Sequence, residues 1–350
     1  MTHWIDSPCQ PLDHPAQEAA TARQAQLTKP PGALGQLETL AIQLASMQGT
    51  PLPEIRHPHI TIFAADHGIA AEGVSAFPQA VTLEMVKNFS SGGAAISVLA
   101  RTLQASLEII NLGTVEPQAA PIPGVTEARI AAGTANFINA PAMTRVQLDL
   151  ALEAGRDAID RAINNGSNLF IGGEMGIANT TSAATLICAL TGLAPSAIVG
   201  PGTGLDTDGV QHKATVVKRA LEHHGDGHNP IELLTRVGGF EIAALAGSYI
   251  RCAQRGITAL VDGFITSAAA LVAVKHQADV LDWLLFSHAS AEPGHARVLE
   301  ALEAKPLINL GMRLGEGSGA ASTLPLLNLA CQLHNNMATF SEAGVSEKSD

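Results

Sequence analysis

The sequence is poor in aromatic residues and in positive charge. Aromatic residues make up 3% of the 350 residues, and 20 Lys and Arg stand against 32 Asp and Glu, for a net charge of -12. Binding to nucleic acid depends on clustered positive charge and, for single strands, on aromatic stacking platforms. Binding to an anionic membrane surface also needs a basic segment. We therefore expect neither nucleic acid nor membrane as a partner, but small molecules.

The sequence also lacks long apolar runs and paired cysteines. No apolar stretch reaches the roughly 18 residues that span a bilayer, and no basic segment followed by an apolar one marks a signal peptide. The cysteines show no C-x-x-C spacing, which is typical of free thiols in a reducing compartment. We therefore expect a cytoplasmic protein with four unpaired cysteines, at Cys9, Cys188, Cys252 and Cys331.

Short β-rich runs alternate with longer segments of helical period. The runs lie at residues 59–64, 106–111, 168–171, 197–200 and 257–261, and the clearest helical pattern covers residues 144–164. Such alternation predicts an α/β fold with a mainly parallel, Rossmann-like sheet flanked by helices. The chain ends are mainly helical. We expect residues 1–50 and 321–350 to form a small helical subdomain, and residues 51–320 to form the core domain that carries the active site.

Glycines and small polar residues follow most of these β runs directly. Ligands of parallel α/β proteins bind outside the carboxyl ends of the strands, so these loops predict the rim of a binding site. The loops in question are residues 65–68, 172–176, 200–204 and 262–263.

Glu316 is the first candidate for chemistry, because it stands between Gly315 and Gly317 just before an apolar helical pattern. Glycine neighbours leave the backbone unshielded and permit positive φ, so the carboxylate could act as a base at the edge of a pocket. The alternative is that Glu316 only interacts with the first turn of the following helix. Nearby Arg313 could pair with Glu316 or with a carboxylate of a ligand, or form a structural ion pair.

The segment 172–182 opens a helix directly after a predicted strand. Its backbone N–H groups and hydroxyls could bind an anion such as a phosphate, or it could be a glycine turn in which Thr180 or Thr181 caps the helix. It matches neither the P-loop nor the G-x-G-x-x-G pattern. Lys213, one helical stretch after the loop 200–204, is either a phosphate ligand or a surface lysine.

Two groups that contain histidine are weak candidates for a metal site. Asp66 and His67 are typical of half a charge relay or of a partial metal site, but no second ligand follows at i+3 or i+4. The group His223, His224, Asp226 and His228 is typical of a solvated loop. No G-x-S-x-G elbow supports a serine hydrolase. We expect no metal and no cofactor.

Taken together, the segments resemble one family, the nicotinate-nucleotide:dimethylbenzimidazole phosphoribosyltransferases, which activate the lower base of cobalamin. The resemblance covers nearly the whole chain. It rests on six ordered motifs, which are Leu-Thr-Lys-Pro-Pro-Gly-Ala-Leu-Gly at 27–35, Ala-Asp-His-Gly at 65–68 with Glu-Gly-Val at 72–74, Gly-Glu-Met-Gly-Ile-Ala-Asn-Thr-Thr at 173–181, Val-Gly-Gly-Phe at 237–240, Asp-Gly-Phe at 262–264 and Arg-Leu-Gly-Glu-Gly-Ser-Gly-Ala at 313–320.

The resemblance implies a homodimer and a reaction in which the 5-phosphoribosyl group passes from nicotinate mononucleotide to 5,6-dimethylbenzimidazole. It places the general base on Glu316. Glu174 and Lys213 match positions that line the nucleotide site, and Phe77 and Met85 match the wall of the base pocket. The expected substrate-binding residues are Glu174, Gly176, Thr180, Gly202, Lys213, Arg313, Leu314, Phe77 and Met85.

Two other functions fit parts of the pattern. A nucleotide or aromatic-base sensor would use the same crevice without catalysis, so that the carboxylate of Glu316 would be dispensable. A metal-dependent hydrolase would use Asp66, His67 and Glu174. The glycine-rich motifs as a set favour the transferase.

Overall fold

The structure is a computed structural model that describes residues 4–116, 120–225 and 229–346. At its centre is a six-stranded sheet in the order β3-β2-β1-β4-β5-β6, and every neighbouring pair is parallel. The predicted fold class is thereby confirmed. The strands are β1 (His59–Ala65), β2 (Ser106–Gly113), β3 (Val125–Glu127), β4 (Leu169–Met175), β5 (Thr258–Val261) and β6 (Leu284–Phe286).

Helices connect the strands and cover the sheet. Among them, none in the described part of the chain combines the length and the apolar character that crossing a membrane requires. The α-helices are α1 (His14–Gln26), α2 (Gln36–Gln48), α3 (Ala80–Ser91), α4 (Ala95–Thr102), α5 (Arg145–Asn164), α6 (Asn179–Thr191), α7 (Pro195–Ile198), α8 (Thr207–His224), α9 (Pro230–Val237), α10 (Phe240–Arg255), α11 (Phe264–His276), α12 (His295–Ala301), α13 (Ser318–Asn336) and α14 (Phe340–Ala343); short 3-10 helices lie at Trp4–Asp6, Gly68–Glu72 and Ala278–Trp283.

Two consecutive glycines in β4 let neighbouring elements approach both faces of the sheet. Successive residues of a strand point to opposite faces. A Cβ added at Gly172 would lie 2.5 Å from a methyl group of Leu245 in α10, and one added at Gly173 would lie 2.6 Å from the backbone of Glu316. The absence of side chains on β4 therefore brings the segment before α13, with Glu316, onto the central strand.

Four of the five predicted β runs are strands, and the prediction for residues 197–200 was wrong. That stretch overlaps the short helix α7, whose first residue is Pro195. Proline fixes φ near the helical value and is favoured at the first position of a helix, so it outweighs the β preference of Ile198 and Val199. The two three-residue strands β3 and β6 were not predicted.

The helix predicted over residues 144–164 is confirmed as α5. Thr144 is its N-cap and forms a capping box with Gln147, since each side chain bonds the other residue's backbone N–H. The same signals, a hydroxyl residue at the start and a polar Asn-Asn-Gly end, were visible in the sequence.

The helices of the two chain ends lie against each other. Arg23 of α1 donates to the carbonyl of His334 in α13 at 2.8 Å, and an isolated antiparallel bridge joins Leu27 to Thr339. The division into a small subdomain and a core at residue 320 remains a prediction. That boundary falls inside α13, which continues unbroken from Ser318 to Asn336 and therefore belongs to both parts.

Candidate active site

A cavity of about 260 Å³ opens at the carboxyl ends of the central strands, where the sequence predicted a binding site. It lies among the loops after β4, β5 and β6, the first turn of α6 and the segment before α13. Nine of the ten expected site residues line it, and the tenth, Lys213, lies directly behind it; the nine are Phe77, Met85, Glu174, Gly176, Thr180, Gly202, Arg313, Leu314 and Glu316. A larger cleft of about 780 Å³, between α2 and β6, contains none of them.

Glu316 lies in a strained turn at the bottom of this cavity. Its φ is 63°, and the flanking Gly315 and Gly317 have φ of 88° and 75°, so three consecutive residues are left-handed. For a residue with a Cβ this conformation costs about 1–2 kcal/mol. Such strain is found mainly where the surrounding structure maintains it for a function.

The carboxylate of Glu316 is buried, and its Oε2 has no hydrogen-bond partner among the described residues. Burial raises the pKa of Glu316, against the opposing effect of the backbone N–H of Ile96. A buried carboxylate with a free oxygen is a stronger base than an exposed one. The arrangement therefore suits proton abstraction from a molecule bound in the cavity.

The carboxylate that holds the start of α13 is Asp262 rather than Glu316. Asp262 follows β5, is 2% exposed, and its Oδ1 accepts from the N–H of Ala320 at 2.8 Å. Burial raises its pKa to about 7, although the N–H groups of Ala320, Gly319 and other residues act in the opposite direction. Asp262 thus takes the helix-start role that was the alternative for Glu316, and it leaves Glu316 free to face the cavity.

Glu174 is the second carboxylate of the cavity and is held in its neutral form. It lies near the end of β4, where Asn179 of α6 donates a hydrogen bond to its Oε2. Burial, and then the nearby carboxylate of Glu241, raise the pKa of Glu174 to about 8. At neutral pH this residue therefore carries a proton, which limits its repulsion of Glu316.

This raised pKa predicts a pH dependence of stability. The pKa of Glu174 rises from 4.5 to about 8 on folding, so the native state binds more protons than the unfolded state in that interval. The free energy of unfolding should then decrease as pH rises from about 5 to 8. We expect Glu174→Gln to lack this part of the decrease. The free energy of unfolding of the variant should therefore increase relative to that of the wild type as pH rises. Urea titrations at both pH values test this, and parallel pH curves for the two proteins would contradict it.

Lys213 in α8 forms a cationic corner of the site. The side chain is 1% exposed, so the alternative that Lys213 is a surface lysine was wrong. Its Nζ donates a hydrogen bond to Oγ1 of Thr180 at 2.6 Å. Burial lowers its pKa to about 8, while the charge of Glu292 acts in the opposite direction. A cation with so few partners in the interior is suited to an anionic ligand.

The first turn of α6 brings the positive end of a helix dipole beside Lys213, while its N–H groups at Asn179 and Thr181 are already bonded to the carbonyls of Gly176 and Ala178. The N-cap residue is Ala178, with φ of 75° and no side-chain cap, so the expected alternative of a threonine cap was wrong. The positive end of a helix dipole favours an anion. Thr180 lies in this turn and joins it to Lys213.

Arg313 lies at the entrance and is exposed. Its Nη1 donates to the carbonyl of Gly202 at 3.3 Å, and within the described residues no ion pair joins it to Glu316. The hydrogen bond links the loop 200–204 to the segment before α13. Of the three hypotheses for Arg313, contact with a ligand is the one that its position at the entrance supports.

An apolar wall faces the carboxylates. Phe77 and Leu314 are 50% and 59% exposed, and Met85 in α3 is half-buried. Exposed apolar side chains at the mouth of a cavity mark a surface for an aromatic or aliphatic ligand. The cavity therefore has three parts, which are the apolar wall (Phe77, Met85 and Leu314), the carboxylate floor (Glu174, Asp262 and Glu316) and the cationic corner (Lys213 with Thr180).

Three further titratable residues line the cavity and were not among the expected site residues. Asp262 could have been found, because a carboxylate directly follows the predicted strand 257–261. His288 and Glu292 follow β6, a three-residue strand without a clear signal. Burial raises the pKa of Glu292, against the charges of Lys213 and Arg313, and lowers that of His288.

His67 is not part of a metal site in the described residues. Its Nε2 lies 2.6 Å from Oε1 of Glu241 and its Nδ1 3.0 Å from Oγ of Ser182. Across residues 4–116, 120–225 and 229–346 no group of three or more His, Cys, Asp and Glu could hold a metal ion. His223 and His224 belong to α8, not to a loop as expected, and Asp226 and His228 lie outside the described residues.

Comparisons with known proteins identify the family of this chain. A family model described as phosphoribosyltransferase matches residues 9–345. The nicotinate-nucleotide–dimethylbenzimidazole phosphoribosyltransferase of Pseudomonas putida KT2440 is 59% identical over 346 residues, 99% of this chain and 98% of that protein. The protein of the same name from Pseudomonas aeruginosa LESB58 is 58% identical over 346 residues, with the same coverage.

Two crystal structures from Thermus thermophilus share the fold. One, of a nicotinate-nucleotide–dimethylbenzimidazole phosphoribosyltransferase, has a TM-score of 0.91 at 44% identity and covers 96% of this chain and 100% of its own. The other, described as CobT, has a TM-score of 0.92 at 45% identity and covers 95% and 100%. Since the family model spans nearly the whole chain and the relatives are so similar, the chain belongs to this family of phosphoribosyltransferases.

Proposed function

We infer that this chain transfers the 5-phosphoribosyl group of nicotinate mononucleotide to 5,6-dimethylbenzimidazole, with α-ribazole 5'-phosphate and nicotinate as products. The relatives that carry this name match over their full length, which supports the same activity here. The reaction belongs to cobalamin biosynthesis, where it supplies the lower-ligand nucleotide.

The observation that carries the mechanism is the carboxylate of Glu316, buried at 6% exposure with an unpartnered Oε2 in the cavity. One ring nitrogen of the benzimidazole attacks the ribosyl C1 while the other still bears a proton. Unless that proton leaves, the product keeps a positive charge. Glu316 takes it as general base, and the burial that raises its pKa makes it a stronger base than an exposed carboxylate.

The leaving group needs no acid. The nitrogen of nicotinate in the mononucleotide is a pyridinium and already carries positive charge, so the bond to C1 breaks with its electron pair going to that nitrogen. The enzyme then has to align the two rings and favour a sugar with oxocarbenium character.

The cationic corner accounts for the 5'-phosphate. Lys213 and Thr180, bonded to each other at 2.6 Å, lie with the first turn of α6 on one side of the cavity. A phosphate there would receive a charge-assisted hydrogen bond from the ammonium and would lie at the positive end of the α6 dipole. Gly202 completes this corner, since a Cβ on it would lie 3.3 Å from Nζ of Lys213.

The apolar wall accounts for the base. Phe77, Met85 and Leu314 offer surface to a flat, methylated ring, and Glu316 lies in the same cavity to receive its proton. Glu174, neutral at pH 7, and Gly176 line the space between wall and phosphate corner, where the ribose would lie. We also propose that the protein acts as a homodimer in the cytoplasm.

The direct test is to incubate the purified full-length protein with nicotinate mononucleotide and 5,6-dimethylbenzimidazole and to follow the products by chromatography with mass detection. Equimolar α-ribazole 5'-phosphate and nicotinate are expected. Binding of both molecules without product would instead indicate a sensor. Activity that a chelator abolishes would indicate a metal-dependent enzyme.

A further inference from the structure

A fully buried polar group lies next to the cavity without lining it. It consists of His67, directly after β1, Glu241 in the first turn of α10, and Ser182 in α6, each 0% exposed. Nε2 of His67 is 2.6 Å from Oε1 of Glu241, and Nδ1 is 3.0 Å from Oγ of Ser182. The two nitrogens of one imidazole thus join three segments that are far apart in sequence.

Stability alone is a weak reason for this arrangement. A buried pair of an imidazole and a carboxylate contributes little net stability, because the desolvation of both groups offsets their attraction. Oε2 of Glu241, moreover, has no hydrogen-bond partner among the described residues. Buried groups that remain partly unsatisfied often serve a purpose other than stability.

The group contacts the loop between β4 and α6, which lines the cavity. A Cβ added at Gly176, which lines the cavity, would lie 3.2 Å from Cδ2 and Nε2 of His67. Ser182 is one turn into α6, and the residues before it are Asn179, which donates to Glu174, and Thr180, which accepts from Lys213. Movement of the start of α6 would therefore displace both the second carboxylate and the phosphate corner.

The loop needs such support because it is strained. Ala178 has φ of 75°, although it is not glycine, and no side chain caps the helix that follows it. A second tether reaches the same loop from the residue before His67: Asp66 accepts from Thr82 at 2.6 Å, and Oγ1 of Thr82 accepts from the N–H of Ile177 at 3.2 Å. The Asp66-His67 motif thus holds the loop between β4 and α6 from two sides.

We propose that His67, oriented by Glu241, is a positioning residue of this transferase that fixes the start of α6, and with it Thr180, Lys213 and Glu174, through its bond to Ser182. Neither His67 nor Glu241 lines the cavity. The bond to Ser182 acts on α6, so its effect is on nucleotide binding and turnover, whereas the residues of the apolar wall lie on other segments. This inference rests on the proposed function, since its measurement is the transferase reaction.

The decisive variant is Ser182→Ala, which removes only the hydroxyl that joins His67 to α6 and leaves the pair with Glu241 intact. We expect kcat/KM for nicotinate mononucleotide to fall about five- to tenfold, which corresponds to one lost hydrogen bond in a buried site. The KM for 5,6-dimethylbenzimidazole should remain within about twofold of the wild type, since Phe77, Met85 and Leu314 lie on other segments. His67→Asn should show a larger loss of the same kind.

His334→Asn is the matched control. His334 is also 0% exposed and bonded at both nitrogens, to Gln24 at 2.9 Å and to the carbonyl of Pro51 at 2.8 Å, but in the helices of the chain ends. It should lose stability in urea without a change in kcat/KM. Wild-type kinetics for Ser182→Ala would overturn the proposal. It would also be overturned if Ser182→Ala lowered kcat/KM equally for both substrates and His334→Asn did the same. A wild-type protein that forms no product would instead refute the proposed function.

Discussion

Glu316→Gln is expected to lower kcat by about 10²- to 10⁴-fold, the usual contribution of a general base. The substitution keeps the shape of the side chain but removes its ability to take the proton of the benzimidazole. The affinity for nicotinate mononucleotide should remain close to that of the wild type, because the phosphate corner around Lys213 lies on other segments. Single-turnover rates together with calorimetric binding separate the two effects.

The fold should tolerate this change. A glutamine in place of Glu316 does not bury a charge, and the bond that holds the start of α13 belongs to Asp262. Glu303→Gln is a suitable control, since Glu303 is an exposed glutamate with φ of 52°, also left-handed but outside the cavity. Near-normal turnover in Glu316→Gln, or an equal loss in Glu303→Gln, would contradict the assignment of the base.

The part of the fold that depends on local pattern was predictable. The apolar runs at residues 59–64 and 106–111 are long enough to be strands whatever their neighbours, and α5 carries a capping box at its first residue. The loop positions followed from these strands, because parallel strands present their carboxyl ends on one side. This is why Glu174 and Gly176 could be placed at the binding site, whereas Glu316, more than 130 residues later and not directly after a predicted strand, was assigned to it by the family resemblance.

What could not be predicted depends on contacts between distant segments. Asp262 bonds the helix that begins 56 residues later at Ser318, so the nearer Glu316 was the residue considered for the helix-start role, as the alternative to its role as base. His67 has its partner at Glu241, 174 residues away, where no spacing rule applies. The prediction for residues 197–200 failed for a local reason. Their β-rich composition predicted a strand, but Pro195 favours the start of a helix, and the helix α7 forms instead. The short strands β3 and β6 acquire their structure from pairing with β2 and β5.

The two carboxylates with strongly raised pKa values explain why one acidic cavity can bind a negatively charged nucleotide. Glu174 and Asp262, with pKa values of about 8 and about 7, are largely or partly protonated at neutral pH. The negative charge of the floor is therefore smaller than the number of carboxyl groups indicates. Because Lys213 lies apart from the floor beside Thr180, the site separates a phosphate end from a proton-accepting end.

Lys213→Met is expected to weaken the binding of nicotinate mononucleotide about 10- to 100-fold, as for the loss of one charge-assisted hydrogen bond. Methionine keeps most of the length and apolar surface of the side chain, and it places no unpaired polar group at a position that is 1% exposed. The affinity for 5,6-dimethylbenzimidazole should change little. Calorimetric titration of each ligand into the wild type and the variant gives both constants.

The pH dependence provides a second signature of the same residue. Burial lowers the pKa of Lys213 to about 8, so the free protein loses this positive charge as pH rises through 8. Nucleotide affinity of the wild type should therefore decrease between about pH 7 and 9, whereas that of Lys213→Met should decrease less, since the deprotonation of Glu174 remains to act on the nucleotide. Lys218→Met is the control, because Lys218 lies in the same helix with its side chain 70% exposed, and it should behave as the wild type. If Lys213→Met bound the nucleotide as tightly as the wild type at pH 7, the phosphate would have to bind elsewhere, and the first turn of α6 with the exposed Arg313 would be the next site to test.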